Sequence, residues 1–244
     1  GKRIYYFDTI NSTQSFATEL ASKPQESGTI VIAEKQTQGR GRHDRKWTSP
    51  TGGIWMSVIL RPEFEISLST LFPMMSSLAL AFAIEKVLKI KPKLKWPNDV
   101  TVNDRKVAGI LVGASIESGK IDYLILGVGV NFKIDVKEVE KNIKNTRNYY
   151  GVATLVTKNN KTNPARLVQV FLLELEKLYN LLSEGNSDYI IKQWTKRSST
   201  IGKTITVTSS TGPIHGKATK IDKDGALVIS NKGKTRRVFV GDVS

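Results

Sequence analysis

TIVIAEKQTQGRGRHDRKWTSPTGGIWMSVIL, residues 29–60, decides how this chain folds. Residues 29–33 are a β-branched apolar run, and Gly53 opens a second run that ends at Pro62. Short apolar runs bounded by turn residues read as buried strands. Between them lies Gly39-Arg40-Gly41-Arg42-His43-Asp44-Arg45-Lys46-Trp47, a glycine-hinged basic loop closed by a tryptophan. Glycine lets backbone approach a ligand closely. Arginine offers forked, permanently charged donors matched to phosphate and carboxylate. The expected partner is a small anion with a flat organic part; a solvated basic hairpin is the plain alternative.

The loop is not one of the two commonest nucleotide cradles. A G-x-x-x-x-G-K-[ST] loop would need glycine at Ala114 and a hydroxyl at Ile121 to use Gly119-Lys120. A G-x-G-x-x-G fingerprint fails at Asp44 after Gly39 and Gly41, and at Phe132 after Gly127 and Gly129.

Working outward, Ser12 reads as the N-cap of a helix over about 13–22 that stops at Lys23-Pro24. A long helix is expected over about 71–89, with Pro73 in its first turn, where a missing N–H costs little. Strands follow at 93–96, 106–114 and 122–130, then an irregular Asn/Lys-rich stretch over 135–162. Asn163-Pro164 starts an amphipathic helix, and a shorter helix covers about 187–196. Beyond Arg197 the texture changes to short strands at 204–208, 215–221, 226–229 and 236–240, the pattern of a small SH3-like barrel. Two domains are therefore expected, 1–197 and 198–244.

The 244 residues, 39% hydrophobic and 24% charged, have the composition of a soluble globular protein. No apolar run approaches the roughly 18–20 residues needed to span a bilayer, so no membrane role is expected. The first residues lack the apolar core of a signal peptide, and cytoplasmic residence is the default expectation. The absence of cysteine removes disulfides, thiolate metal sites and a cysteine nucleophile; two histidines are too few for a histidine metal cage. A net charge of +15 suits an acidic protein partner about as well as nucleic acid, since the lysines are scattered and few aromatics are interleaved.

A second cluster adds chemistry: Lys95-Trp96-Pro97-Asn98-Asp99, then Lys106-Val107-Ala108-Gly109-Ile110-Leu111. Lys95 and Lys106 are point charges for an anionic oxygen, or plain surface amines. Asn98 and Asp99 are a turn cap, or groups that orient an arginine or accept a proton. Gly109 fits close approach of a ligand to a strand.

With Asn11-Ser12-Thr13-Gln14, Gln36, Ser49-Pro50-x-Gly52-Gly53 and Gly127-x-Gly129-x-Asn131, these motifs resemble the biotin protein ligase family in content and order, over nearly the whole chain. Gln14, where asparagine is common, and His43, often another arginine, depart from the pattern. The resemblance implies an α+β fold: a mixed-sheet catalytic domain of the biotin/lipoate ligase type with helices packed on it, plus the small C-terminal SH3-like barrel. It also implies the form lacking an N-terminal DNA-binding domain. The implied reaction joins biotin and ATP into biotinyl-5′-AMP, then passes biotin to a lysine of a biotin carboxyl carrier protein. Ser12, Thr13, Gln36, Gly39, Arg40, Lys106 and Gly109 are the implied biotin contacts. Arg42, Arg45, Trp47, Lys95, Asn98 and Asn131 are the implied ATP and adenylate contacts. Arg40, Arg42, Lys95, Asp99 and Lys106 are the implied catalytic set, with Mg²⁺ held through phosphates and water rather than by a protein cage. A homodimer through a sheet edge stays open, as do lipoate or octanoyl transfer and nucleic-acid binding as rival readings.

Overall fold

The computed structural model describes residues 2–23, 25–141, 151–209 and 212–244. In chain order the first elements are β1 (Arg3–Ile10), α1 (Thr13–Ala21), β2 (Thr29–Gln36), β3 (Ile54–Leu60) and α2 (Phe72–Leu88). Next come β4 (Lys93–Lys95), β5 (Asp99–Val102), β6 (Arg105–Glu117), β7 (Lys120–Val130) and α3 (Val136–Lys141). Two helices, α4 (Pro164–Ser183) and α5 (Ser187–Arg197), precede the terminal strands. These are β8 (Thr204–Ser209), β9 (Gly212–Ile221), β10 (Leu227–Asn231), β11 (Lys234–Val238) and β12 (Asp242–Val243). The chain forms two compact units, Gly1–Ile66 with Arg105–Pro164, and Ser67–Asp104 with Ala165–Ser244.

In the first unit the strands run in the order β1-β2-β3-β7-β6. β1 is parallel to β2 and the other pairs are antiparallel, so the sheet is mixed. The unbroken apolar run of β3 has the cause expected of a central strand: Trp55, Met56, Val58 and Ile59 are all buried, though successive side chains point to opposite faces. α1 packs on one face through Ala17 and Ala21 against Val31, Ile59 and Ile125, with Phe7 and Phe16 edge to face beside them.

In the second unit α2 is apolar nearly all round, and such a helix belongs in a core. Residues Ile66–Leu88 are long and apolar enough, by length and composition, to cross a membrane, which corrects the reading that no stretch qualifies. Most of that stretch is buried, as befits the core helix of a folded unit. α5 is tied to α2 by Arg197, which donates to both oxygens of Glu85 at 2.9 and 3.1 Å, and by the Trp194 indole, 3.1 Å from the Ser77 hydroxyl. The terminal strands form a separate five-stranded antiparallel sheet, β11-β10-β9-β8-β12, around Val207, Ala218, Leu227 and Ile229.

Several elements depart from the sequence reading. β1 was not expected: it gains its ladder only from β2, and Ile4 and Tyr6 on it stay exposed. β5 was not expected: Asp99 opens it, paired with Lys95 across the turn at 96–98. The stretch 135–162 contains α3, residues 142–150 of it lie outside those described, and Val152 bridges to Lys106.

Candidate active site

The N-terminus of α1 carries the first half of the site. Ser12 caps it from an extended conformation, its hydroxyl accepting from the Ser15 amide at 3.3 Å. One turn geometry then presents Thr13 to Gln36 at the end of β2. Gln36 Oε1 accepts from the Thr13 amide at 2.8 Å and from its hydroxyl at 3.1 Å. The same hydroxyl lies 2.9 Å from Ser57 Oγ, which donates to Gln14 Oε1 at 3.1 Å. On the other side Gln36 Nε2 donates to Ser49 Oγ at 2.8 Å, and Ser49 donates to the Trp47 carbonyl at 3.0 Å. A polar chain therefore runs from Gln14 through Ser57, Thr13, Gln36 and Ser49 into the basic loop. Ser57 does not stand out in the sequence; its one signal is a lone hydroxyl in an otherwise apolar central strand.

The basic loop is a hairpin, bridged at Gln36–Ser49 and Arg40–Lys46, with the Trp47 amide donating to the Gly39 carbonyl at 2.8 Å. A Cβ at Gly39 would run into the Trp47 carbonyl and the Ser49 hydroxyl, so glycine is required here by the loop itself. At the tip His43 and Asp44 take positive φ angles of 53° and 56°, a region costly for non-glycine residues. Arg40, Arg45 and Lys46 are exposed, and Arg42 is half-buried beside His43, their nitrogens 3.4 Å apart.

Trp47 joins this loop to the sheet. Gly109 on β6 and Gly129 on β7 are cross-strand neighbours, and the indole lies over both. A Cβ at Gly129 would come within 2.7 Å of Trp47 Nε1, and one at Gly109 within 3.1 Å of the six-membered ring. Further along the same face, Gln14 lies over Gly127 and Gly113. The floor is thus a glycine-lined trough, filled at one end by an indole and at the other by an amide. Lys106 Nζ stands 5.0 Å from the Trp47 ring centroid, a cation–π distance. Trp47 Nε1 is buried without a hydrogen-bond partner among the described residues, which is uncommon enough to need a cause. A site in which this ring moves or meets a ligand acceptor supplies one. Asn131 is buried and turned to main chain, its amide donating to the Val107 carbonyl at 2.8 Å and its side chain to the Lys106 carbonyl at 3.4 Å.

Ser12, Thr13, Gln36, Gly39, Trp47, Lys106, Gly109 and Asn131 are thereby brought into one connected region of the first unit. Lys95, Asn98 and Asp99 belong to the second unit, where Lys95 at the end of β4 pairs with Asp99 at the start of β5 and Asn98 is buried between them. Among the described residues no three His, Asp or Glu side chains converge to hold a metal ion.

The family model described as Biotin/lipoate A/B protein ligase family matches residues 6–131, which hold this whole trough and loop. The chain belongs to that family. A second model, Biotin protein ligase C terminal domain, matches residues 200–244, the five-stranded antiparallel sheet. Among curated members, the bifunctional ligase/repressor BirA of Bacillus subtilis is 31% identical over 246 residues, covering 100% of this chain and 74% of that protein. The biotin–[acetyl-CoA-carboxylase] ligase of Paracoccus denitrificans is 30% identical, covering 90% of both. Among solved structures, biotin protein ligase from Aquifex aeolicus in complex with biotin and ATP superposes with a TM-score of 0.81 at 25% identity, over 100% of this chain and 98% of that one. The biotin/lipoate ligase family member described here is accordingly an enzyme of the ligase class, with the mixed sheet and SH3-like sheet its motifs imply.

Proposed function

We propose that this ligase activates biotin with ATP and transfers it to a lysine of a biotin carboxyl carrier protein. The observation that carries the reading is the glycine trough with Trp47 and Lys106 at one end and the Thr13–Gln36–Ser57 chain at its wall. Such a trough suits a flat apolar chain with a polar head, and the paired amide and hydroxyl groups suit a ureido ring. In the first step a biotin carboxylate oxygen attacks the α-phosphorus of ATP and pyrophosphate leaves. In the second the acceptor amine attacks the acyl carbon, loses a proton, and AMP departs.

Neither step needs a protein nucleophile, which agrees with a chain without cysteine. Both need neutralisation of oxygen charge, and one preorganised donor of this kind is worth ~2.7–4 kcal/mol. Lys106 is assigned to the carboxylate, exchanging the Trp47 face for a full charge. Arg40 and Arg42 are assigned to the phosphates and the anhydride, and Arg45 to the nucleotide. Trp47 covers the acyl adenylate, Ser12, Thr13, Gln36, Gly39 and Gly109 surround biotin, and Asn131 lines the adenine side. Lys95 and Asn98 are assigned to the nucleotide and Asp99 to the amine proton, on the strength of their motif. Mg²⁺ travels with the triphosphate in this scheme, and no step is routed through a protein-held metal. Gly39 and Gly41 let the loop close once biotin binds and keep water from the anhydride.

The test is incubation with biotin, Mg-ATP and a carrier domain, read by intact mass. One biotinyl group should appear on one lysine, and AMP should form only when biotin is present. A carrier whose mass stays unchanged while the enzyme is folded would end the proposal. R42A should leak free biotinyl-5′-AMP; an unleaky, fully active R42A would remove that residue from its role.

A further inference from the structure

The main chain on both sides of Lys95 is held by the linker that leads into the C-terminal sheet. Ser198 bridges in parallel to Leu94, and the Ser199 amide donates to the Leu94 carbonyl at 2.8 Å. One residue past Lys95, the Trp96 amide donates to the Thr200 hydroxyl at 3.0 Å. Leu94, Trp96 and Thr200 are all nearly inaccessible, at 0%, 2% and 2% exposure, so water cannot replace these bonds. The linker is itself fixed, because Ser198 Oγ accepts from the amides of Thr200 and Ile201 at 3.0 and 3.1 Å. It is also tied forward into β9 by the Gly202 amide, which donates to the Ala218 carbonyl at 2.8 Å.

A second tether comes from the turn between β9 and β10. The Trp96 indole nitrogen is 3.5 Å from the Gly225 carbonyl, and the Thr70 hydroxyl donates to the Asp224 carbonyl at 2.7 Å. Since Lys95 pairs with Asp99, whatever fixes β4 also fixes the start of β5.

We propose that Thr200 is a positioning residue: its buried hydroxyl, accepting the Trp96 amide, sets where Lys95 and Asp99 present their charges. The C-terminal sheet then acts on the reaction through the linker, by holding the Lys95–Asp99 hairpin in place. This inference rests on the nucleotide role assigned to Lys95 above. A side chain displaced by about 1 Å can cost up to about 100-fold in rate, and a shift through one lost hydrogen bond should fall near tenfold.

Thr200→Val keeps shape and β-branching but removes the acceptor; Thr200→Ser keeps the acceptor. The assay is biotin-dependent pyrophosphate release by the full chain. T200V should lower kcat about tenfold and raise the KM for ATP, with the KM for biotin unchanged, and T200S should stay within about twofold of the parent. In the K95A background T200V should cost nothing further, because the group it positions is gone. Equal effects of T200V and T200S, a biotin KM that rises in step, or full additivity with K95A would each overturn the proposal. If T200V fails the melting control, Ser198→Ala loosens the same linker, and unchanged kinetics there overturn it as well. A parent enzyme that releases no pyrophosphate with biotin would instead refute the ligase reading, so the two failures are distinguishable.

Discussion

The contact between Trp47 and Gly129 turns on a single missing methyl group. A Cβ at Gly129 would sit 2.7 and 2.8 Å from two atoms of a rigid indole, closer than real contacts allow. Gly129→Ala should therefore drive the ring off the floor, at a folding cost of about 1–3 kcal/mol, as overpacking generally exacts. Biotin affinity should fall at least about tenfold, or 1.4 kcal/mol, when measured by calorimetric titration. Gly113→Ala is the control, since its Cβ would meet only Gln14 Nε2, at 3.4 Å, the end of a flexible side chain. Near-parental biotin binding is expected for it. Equal losses at the two glycines would show that the trough is not where the acyl group lies.

α1 shows how one element presents a site, because both of its ends are held. Ser12 caps the start, and losing such a cap costs about 1 kcal/mol. At the far end Arg61 accepts no such simple description: its guanidinium donates to the carbonyls of Ala21, Lys23, Gln25 and Asp122 and to the Asp122 carboxylate at 2.8 Å. A cation on the final carbonyls of a helix is favourable, and bonds to a charged group are each worth about 1.5–3 kcal/mol. Arg61→Ala should thus destabilise by about 2–3 kcal/mol in urea melts, clearly more than Ser12→Ala. Similar midpoints for the two variants would contradict that ranking. The contrast also explains what was legible in the chain. The Ser12 cap, α1 and the apolar β2 and β3 carry their signals within a few neighbouring residues. Arg61 and Ser57 read locally as a surface charge and a core serine, because their partners come from other elements. Trp47 was legible as the aromatic that closes the basic loop, but its glycine floor is assembled by the register of β6 with β7. β1 stayed hidden for the same reason, its ladder being made wholly by β2.

At the scale of the whole molecule, charge and acidity act together. The chain carries +15 at neutral pH, and acid can only raise that figure as its 22 carboxylates protonate. Self-repulsion therefore grows on acidification, though salt screens it beyond about 8 Å at physiological strength. Glu174 adds a specific term. Burial alone would push its carboxyl up, but hydrogen bonds from Lys86 at 2.8 Å and Lys177 at 3.1 Å outweigh it and hold the group below the ordinary carboxylate value. A carboxylate depressed on folding stabilises the native state above its unfolded value of about 4.3, and that stabilisation is lost as pH falls through the lower folded value. Glu174→Gln should cost about 1 kcal/mol at pH 7, because both lysines are largely exposed and screening limits the pair. The gap between parent and variant should close as pH falls below that window, while both continue to lose stability through repulsion. Raising salt should soften the shared loss in acid. Thermal melts from pH 7 to pH 3 at two salt concentrations separate the terms; a parent–variant gap that persists undiminished at pH 3 would show that Glu174 contributes by packing and not by charge.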